Sequence, residues 1–167
     1  MAVDSLQCIA DQLSQYPRST TITITTTTIM STKVRWGIIG TASIAEKFVQ
    51  GLHSSAHGVA AGIAARKPED AHKFASEYGV EKVYQSYDEL LDDSSITCVY
   101  IPVPSTKKCE WALKAISKGK HVLVDKPFWS ESDLMEMVSS AHKHKLHFMD
   151  GTMWVHNPRV DKVTLFE

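Results

Sequence analysis

Lys33-Val34-Arg35-Trp36-Gly37-Ile38-Ile39-Gly40-Thr41-Ala42-Ser43-Ile44-Ala45 is the stretch whose reading decides the fold. An apolar run closes on glycine, and small residues come next. Then Ile44, Ala45, Phe48, Val49 and Leu52 recur at helical spacing, so a strand turns tightly into a helix. Amides in the first turn of a helix lack intrahelical acceptors and carry the positive end of its dipole, so an anion is held there without a basic side chain. Gly40, Ala42 and Ala45 fall on the three small positions of G-x-G-x-x-G/A: tight turn, close approach of phosphate to backbone, close helix–strand packing. The spacing predicts a dinucleotide pyrophosphate over Gly40, Thr41, Ala42, Ser43, Ile44 and Ala45. Ala42 stands where glycine is usual, and its methyl group is expected to hold the pyrophosphate slightly further off. Small residues at such a turn also serve packing alone, so the rest of the chain has to decide.

With 167 residues the chain can form one domain with a full core, but not a nucleotide domain plus a substrate domain of similar size. A net charge of −1 offers no electrostatic footprint for nucleic acid or an anionic membrane. Cys8, Cys98 and Cys109 are odd in number, widely spaced and form no C-x-x-C, which argues against a disulfide framework or a zinc site and for a reducing compartment. No apolar stretch approaches the roughly 20 residues of a membrane helix. A cytoplasmic protein is expected.

Residues 1–31 differ in composition from the rest of the chain. The threonine-isoleucine run at 20–29 is of low complexity and belongs to no periodic core element, so 1–31 reads as a disordered extension. Arg18 is the only Lys or Arg before Lys33, while Asp4 and Asp11 are acidic, unlike an organelle leader. Met30 directly precedes the first strand, and the functional chain is expected to begin there. From 32 to 159 strand and helix patterns alternate: strands at 34–39, 59–64, 83–84, 97–101, 121–124 and 146–149, helices at 43–52, 68–78, 87–91, 107–118 and 130–143. Ser43 and Glu46 are spaced as a capping box, Pro68 opens a helix, and Gly119 closes one. Apolar strands alternating with helices mean a parallel sheet covered on both faces, a doubly wound α/β domain.

Two places along this pattern carry chemistry. After the second strand come Ala65-Arg66-Lys67, with no carboxylate before Glu69. An acidic residue there would take the ribose 2′-hydroxyl of NAD; Arg66, with its bidentate fork, favours the 2′-phosphate of NADP. The fourth and fifth strands deliver Pro102-Val103-Pro104 and Asp125-Lys126-Pro127 to the rim where open α/β sheets bind ligands. Lys126, between an acid and a proline, suits a proton donor or electrostatic anchor, and equally a strand-end ion pair. Tyr78 and Lys82 match Y-x-x-x-K, but Gly79 breaks the helix that would align them. His142, His144 and His147, interleaved with lysines, read as a solvated helix end, and no metal site is expected.

These residues together resemble the glucose-fructose oxidoreductase, inositol dehydrogenase and MocA family. The features that carry the resemblance are the Gly37 to Ala45 turn, Ala65-Arg66, Tyr87-Asp88-Glu89-Leu90-Leu91, Tyr100-Ile101-Pro102-Val103-Pro104, Glu110-Trp111-Ala112, and Gly119-Lys120-His121-Val122 leading to Asp125-Lys126-Pro127. Residues 149–159 look like the branch with dimeric dihydrodiol dehydrogenases and NADP-dependent xylose dehydrogenases. The resemblance implies that Lys126 is the catalytic lysine of a Glu-Lys-Pro signature, with Asp125 in place of the glutamate and Lys108 in place of a histidine after the prolines. It also implies a second, substrate-binding domain starting near Arg159, of which only 160–167 would be present. The expected function is NADP-dependent hydride transfer, with NAD less favoured, at the CH–OH of a sugar or cyclic diol. The expected partner is that small molecule, neither nucleic acid nor membrane, with self-association left open. The rivals are a nucleotide-binding module without turnover and a fragment without a stable role.

Overall fold

The computed structural model describes residues 33–153; the low-complexity segment, the start at Met30, the domain edge at 159 and the tail 160–167 lie outside the described residues. Within them strands and helices alternate strictly: β1 Val34–Ile39, α1 Ser43–His53, β2 Gly58–Ala64, α2 Pro68–Tyr78, β3 Val83–Tyr84, α3 Tyr87–Asp92, β4 Cys98–Ile101, α4 Ser105–Ser117, β5 His121–Val124, α5 Glu131–Lys143 and β6 Phe148–Asp150. All six strands pair in parallel, in the order β3-β2-β1-β4-β5-β6. The chain runs outward from β1 to β3 and then returns to β4 on the other side of β1. This reversal of direction defines a doubly wound sheet and opens a crevice beyond the strand ends there.

Two apolar clusters sort the helices onto the two faces. Ala45, Val49 and Leu52 of α1 and Ala71, Phe74 and Ala75 of α2 join Ile38, Ile63 and Tyr100. Leu90 and Leu91 of α3, Ala112, Ala115 and Ile116 of α4, and Met137 and Ala141 of α5 join Ile39, Val99, Ile101 and Val124. Alternate residues of one strand, such as Ile38 and Ile39, therefore serve opposite cores, which is why the inner strands are apolar toward their C-terminal ends. Within the sheet, Gly62 makes room for an aromatic ring on the next strand: a Cβ there would collide with the ring of Tyr84 of β3. The outer strands are short, two residues in β3 and three in β6, which limits the exposed sheet edge.

Three local readings of the sequence are corrected. The capping box of Ser43 and Glu46 does not form: Ala42 is the extended N-cap, no side chain caps α1, and Ser43 lies within the helix. True side-chain caps sit on Ser86, which accepts from the Glu89 amide at 3.1 Å, and on Ser130, which accepts from the Asp133 amide at 3.1 Å. Helix α4 begins two residues before the expected 107, because Pro104 itself is the N-cap and its carbonyl accepts from the Lys107 amide. Strand β6 begins two residues after the expected 146. Lys145 takes a left-handed φ of 56° and the Leu146 amide turns back onto the Ala141 carbonyl, so pairing starts only with Val122 opposite Phe148. Gly119, with φ 74°, ends α4 in a Schellman turn, its amide on Ile116 and that of Lys120 on Ala115. Gly79 likewise ends α2 at Tyr78, and Lys82 lies outside that helix and pairs with Asp93.

Candidate functional site

Where the strand order reverses, a cleft of about 570 Å³ opens, floored by Gly40, Thr41 and Ala42 and walled by Arg66, Pro102 and Pro104. Its floor is built by backbone. The Gly40 amide donates to the Ala64 carbonyl at 2.8 Å, tying the end of β1 to the end of β2. Gly40 then turns with φ 102°, a conformation that L side chains rarely adopt. Ala42 is extended and enters α1 without a side-chain cap, so the first-turn amides are left without a side-chain acceptor at the cleft. Arg66 and Lys67 are exposed, line the same cleft and supply its positive charge, with Asp70 also in its lining.

The six residues predicted at the turn divide. Gly40, Thr41 and Ala42 line the cleft. Ser43 is exposed at the first turn of α1, Ala45 is fully buried against the sheet, and Ile44 lines a second hollow of about 270 Å³. The wall of that hollow includes Phe48, Tyr100, Leu123 and Asp125, so Asp125 belongs to it and not to the cleft of Gly40 and Arg66. Asp125 is held at the end of β5, its amide on the Ile101 carbonyl at 3.3 Å. It needs a glycine beside it: a Cβ on Gly151 would lie 2.7 Å from its Oδ1 and 3.1 Å from its Cα. Burial pushes the Tyr100 phenol well above its ordinary pKa, and the Asp125 carboxylate adds to the rise, so this hydroxyl stays protonated.

Lys126 stands exposed at the rim, one residue beyond Asp125. The next residue is clamped: the Pro127 carbonyl accepts from Lys108 Nζ at 2.8 Å and from Ser105 Oγ at 3.0 Å, both on the first turns of α4. Lys108 is 3% exposed. Burial lowers its pKa, the Asp125 carboxylate opposes that, and the Lys126 ammonium reinforces it. Its spacing to Ala112 and Ala115 puts Lys108, unlike exposed Lys107, on the inner stripe of α4, but its partner, the Pro127 carbonyl, emerges only in the structure.

Tyr87 also lines the cleft, without a predicted role there. A Cβ on Gly40 would come within 3.9 Å of its hydroxyl, and its ring meets Trp111 edge to face at 4.7 Å. Burial raises its pKa, while the Arg66 guanidinium and amide pull it down. A hydroxyl in the motif Tyr87-Asp88-Glu89-Leu90-Leu91 is the only signal the sequence offers for it.

A glycine turn into an uncapped helix, sharing a crevice with an arginine at the strand reversal, defines the class: a nucleotide-binding α/β domain. Residues 34–152 match the sequence model of the GFO_IDH_MocA oxidoreductase family, NAD-binding Rossmann fold, and the chain belongs to that family. It is 39% identical to D-xylose 1-dehydrogenase (NADP(+)) 2 of Haloferax volcanii over 59% of this chain and 30% of the relative. It is 33% identical to trans-1,2-dihydrobenzene-1,2-diol dehydrogenase of Mus musculus over 71% of this chain and 36% of the relative. Among solved structures, KijD10, a 3-ketoreductase from Actinomadura kijaniata in complex with NADP and TDP-benzene, superposes with a TM-score of 0.77 at 28% identity, covering 81% of this chain and 42% of that one. The chain thus spans less than half the length of each of these proteins. No helix among the described residues is long and apolar enough to cross a membrane.

Proposed function

We propose that this chain is the coenzyme-binding part of an NADP-dependent oxidoreductase that moves hydride to or from the CH–OH carbon of a sugar or cyclic diol. The observation that carries the reading is that Arg66 and the Gly40 turn line one cleft. The residues fit the coenzyme. A side chain at Gly40 would strain the turn, no side chain competes for the first amides of α1, and about 570 Å³ lies within the usual range of ligand clefts, roughly 300–1,000 Å³. Relatives that bind or use NADP by name, the xylose dehydrogenase and KijD10, support the choice of coenzyme.

On this reading the amides after Gly40 hold the pyrophosphate, and the Arg66 guanidinium pairs with the 2′-phosphate. Pro102 and Pro104 fix the extended path of the chain along the cleft wall. Bound coenzyme would supply the hydride chemistry of its nicotinamide at this place. In the reducing direction Lys126 Nζ donates a proton to the substrate oxygen, and in the oxidising direction it takes that proton back. Asp125 supplies negative charge beside it. The sugar or diol is the small-molecule partner, as the names of the xylose and dihydrodiol dehydrogenases suggest.

Titration with NADPH, followed by nicotinamide fluorescence, tests the binding, and reduction of NADP+ with a panel of sugars and dihydrodiols tests the turnover. Binding without turnover selects a nucleotide-binding module, and absence of binding refutes both readings. Arg66→Asp exchanges a charge-assisted contact of about 1.5–3 kcal/mol for repulsion, so NADPH affinity should fall at least about tenfold, below that for NADH. Unchanged preference between the two coenzymes would overturn the assignment of Arg66.

A further inference from the structure

We infer that Lys108 and Ser105 are positioning residues: by holding the Pro127 carbonyl from two sides, they fix where the Lys126 ammonium stands relative to bound coenzyme. The inference rests on the coenzyme reading above. It adds a role for two α4 residues that touch neither the cleft of Gly40 and Arg66 nor the hollow of Ile44 and Asp125.

The geometry singles out this clamp. Lys126 is exposed, and the strand ladder that ends at Val124 does not reach it: β5 pairs with β4 only as far as Ile101 opposite Val124. One residue earlier, Asp125 is still fixed by its amide on Ile101 and by the glycine beside it. One residue later, Pro127 has no amide hydrogen, so its carbonyl is the main-chain hydrogen-bonding group it can offer. Both donors to that carbonyl come from α4, Lys108 Nζ at 2.8 Å and Ser105 Oγ at 3.0 Å. Helix α4 is in turn anchored by fully buried Ala112, Ala115 and Ile116. Lys126 is therefore suspended between two fixed points, the end of β5 and a carbonyl tied to a rigid helix.

A buried ammonium is an expensive way to hold one carbonyl, because it loses its hydration and Ser105 already donates to the same oxygen. A charge at this place also acts over distance. Among charged groups, the Asp125 carboxylate and the Lys126 ammonium are those that act on Lys108. The clamp thus combines a geometric restraint with a fixed positive charge behind the rim.

The test uses the 167-residue chain and competitive acetylation of its lysines, with Lys126 read by mass spectrometry against exposed Lys143 as internal reference. In the wild type, NADP+ should protect Lys126 from the reagent. Lys108→Met keeps the apolar stem and removes the charge and the donor. NADPH affinity should stay within about threefold of wild type, because the cleft floor is untouched, while coenzyme protection of Lys126 is lost. Ser105→Ala should lose part of the protection, and it decides the matter if Lys108→Met does not fold. A role confined to stability would shift the melting temperature and leave protection of Lys126 intact, and that result overturns the inference. Undiminished protection in Ser105→Ala alongside an unfolded Lys108→Met also overturns it. If the wild type binds NADP+ without protecting Lys126, the inference fails and the coenzyme reading stands; if it does not bind, the coenzyme reading fails first.

Discussion

The two ends of the rim are built by different means. At the Gly40 end the parts are backbone: a positive-φ turn, an uncapped helix start, and an amide tied to the neighbouring strand. At the Lys126 end the parts are side chains brought from elsewhere, Ser105 and Lys108 reaching a carbonyl 22 and 19 residues away, and a glycine at 151 making room for Asp125. An anion site made of amides is rigid once the turn forms. A proton-transfer group must instead be aimed, and aiming it takes contacts from several elements. The contrast predicts that the same small change has unequal consequences at the two ends.

The largest effect is expected from Gly40→Ala. A Cβ at φ 102° meets no severe clash but strains the turn, at a cost of about 1–3 kcal/mol; the turn shifts to relieve it and its amides lose their aim, which should weaken NADPH binding about fivefold or more. Gly151→Ala adds one methyl group at the other end, directly against Asp125 Oδ1 and Cα. It should displace the carboxylate yet leave NADPH affinity within about threefold of wild type. Titration of both variants checks the pair. Equal losses would mean that the ends are one continuous site and that the contrast is false.

The same division governs what the sequence discloses. Gly40, Ala42 and Arg66 are legible because their meaning is local: a glycine after an apolar run and a basic residue after the next strand. The alternation of apolar runs at 34–39, 59–64 and 121–124 likewise announces the parallel sheet. The cap of α1 misleads, since Ser43 is of the right type one residue too late, and the extended conformation falls on Ala42. The start of β6 misleads because Leu146, apolar and next to the strand, spends its amide on closing α5. Lys108 is legible only in part: the resemblance marks it in place of a histidine and its spacing to Ala112 and Ala115 puts it on the inner stripe of α4, but its partner, the Pro127 carbonyl, is supplied by the loop after β5.

The arm of the sheet beside Arg66 offers a sharper test through pH. Tyr84 of β3 pairs with Ala64 at the end of β2, and its hydroxyl donates to Asp93 at 2.7 Å, while Lys82 Nζ donates to the same oxygen at 3.1 Å. Hydrogen bonds from Ser95, Tyr84 and Lys82 hold the Asp93 carboxyl far below the usual carboxylate range. A group whose pKa is depressed on folding stabilises the fold above its unfolded value, about 3.9, and loses that contribution as pH falls toward the folded value. The wild type should therefore lose stability between about pH 5 and pH 2 more steeply than Asp93→Asn, which sacrifices about 1 kcal/mol at pH 7. Urea midpoints at pH 7 and pH 3 check this. Parallel pH profiles would show that the Asp93 network does not brace β3.

The smallest effect is expected where a chain of contacts leads from the surface to the cleft. Asp88 pairs with Lys114 at 2.6 Å, Lys114 lies 4.7 Å above the Trp111 ring, and Trp111 supports Tyr87 at the cleft wall. Contiguity alone would make Lys114→Ala a coenzyme-binding variant. Magnitudes argue otherwise, because the side chains of Lys114 and Asp88 are 41% and 50% exposed and such pairs contribute only about 0–1 kcal/mol, screened by salt. Tyr87 keeps its place through burial and the Trp111 ring, neither of which requires the ammonium. Lys114→Ala should lower stability by less than about 1 kcal/mol, less again at high salt, with NADPH affinity unchanged within about threefold. A larger loss of affinity would mean that the cleft wall depends on side chains from other elements just as Lys126 does, and the Gly40 end could no longer be described as a site made by backbone.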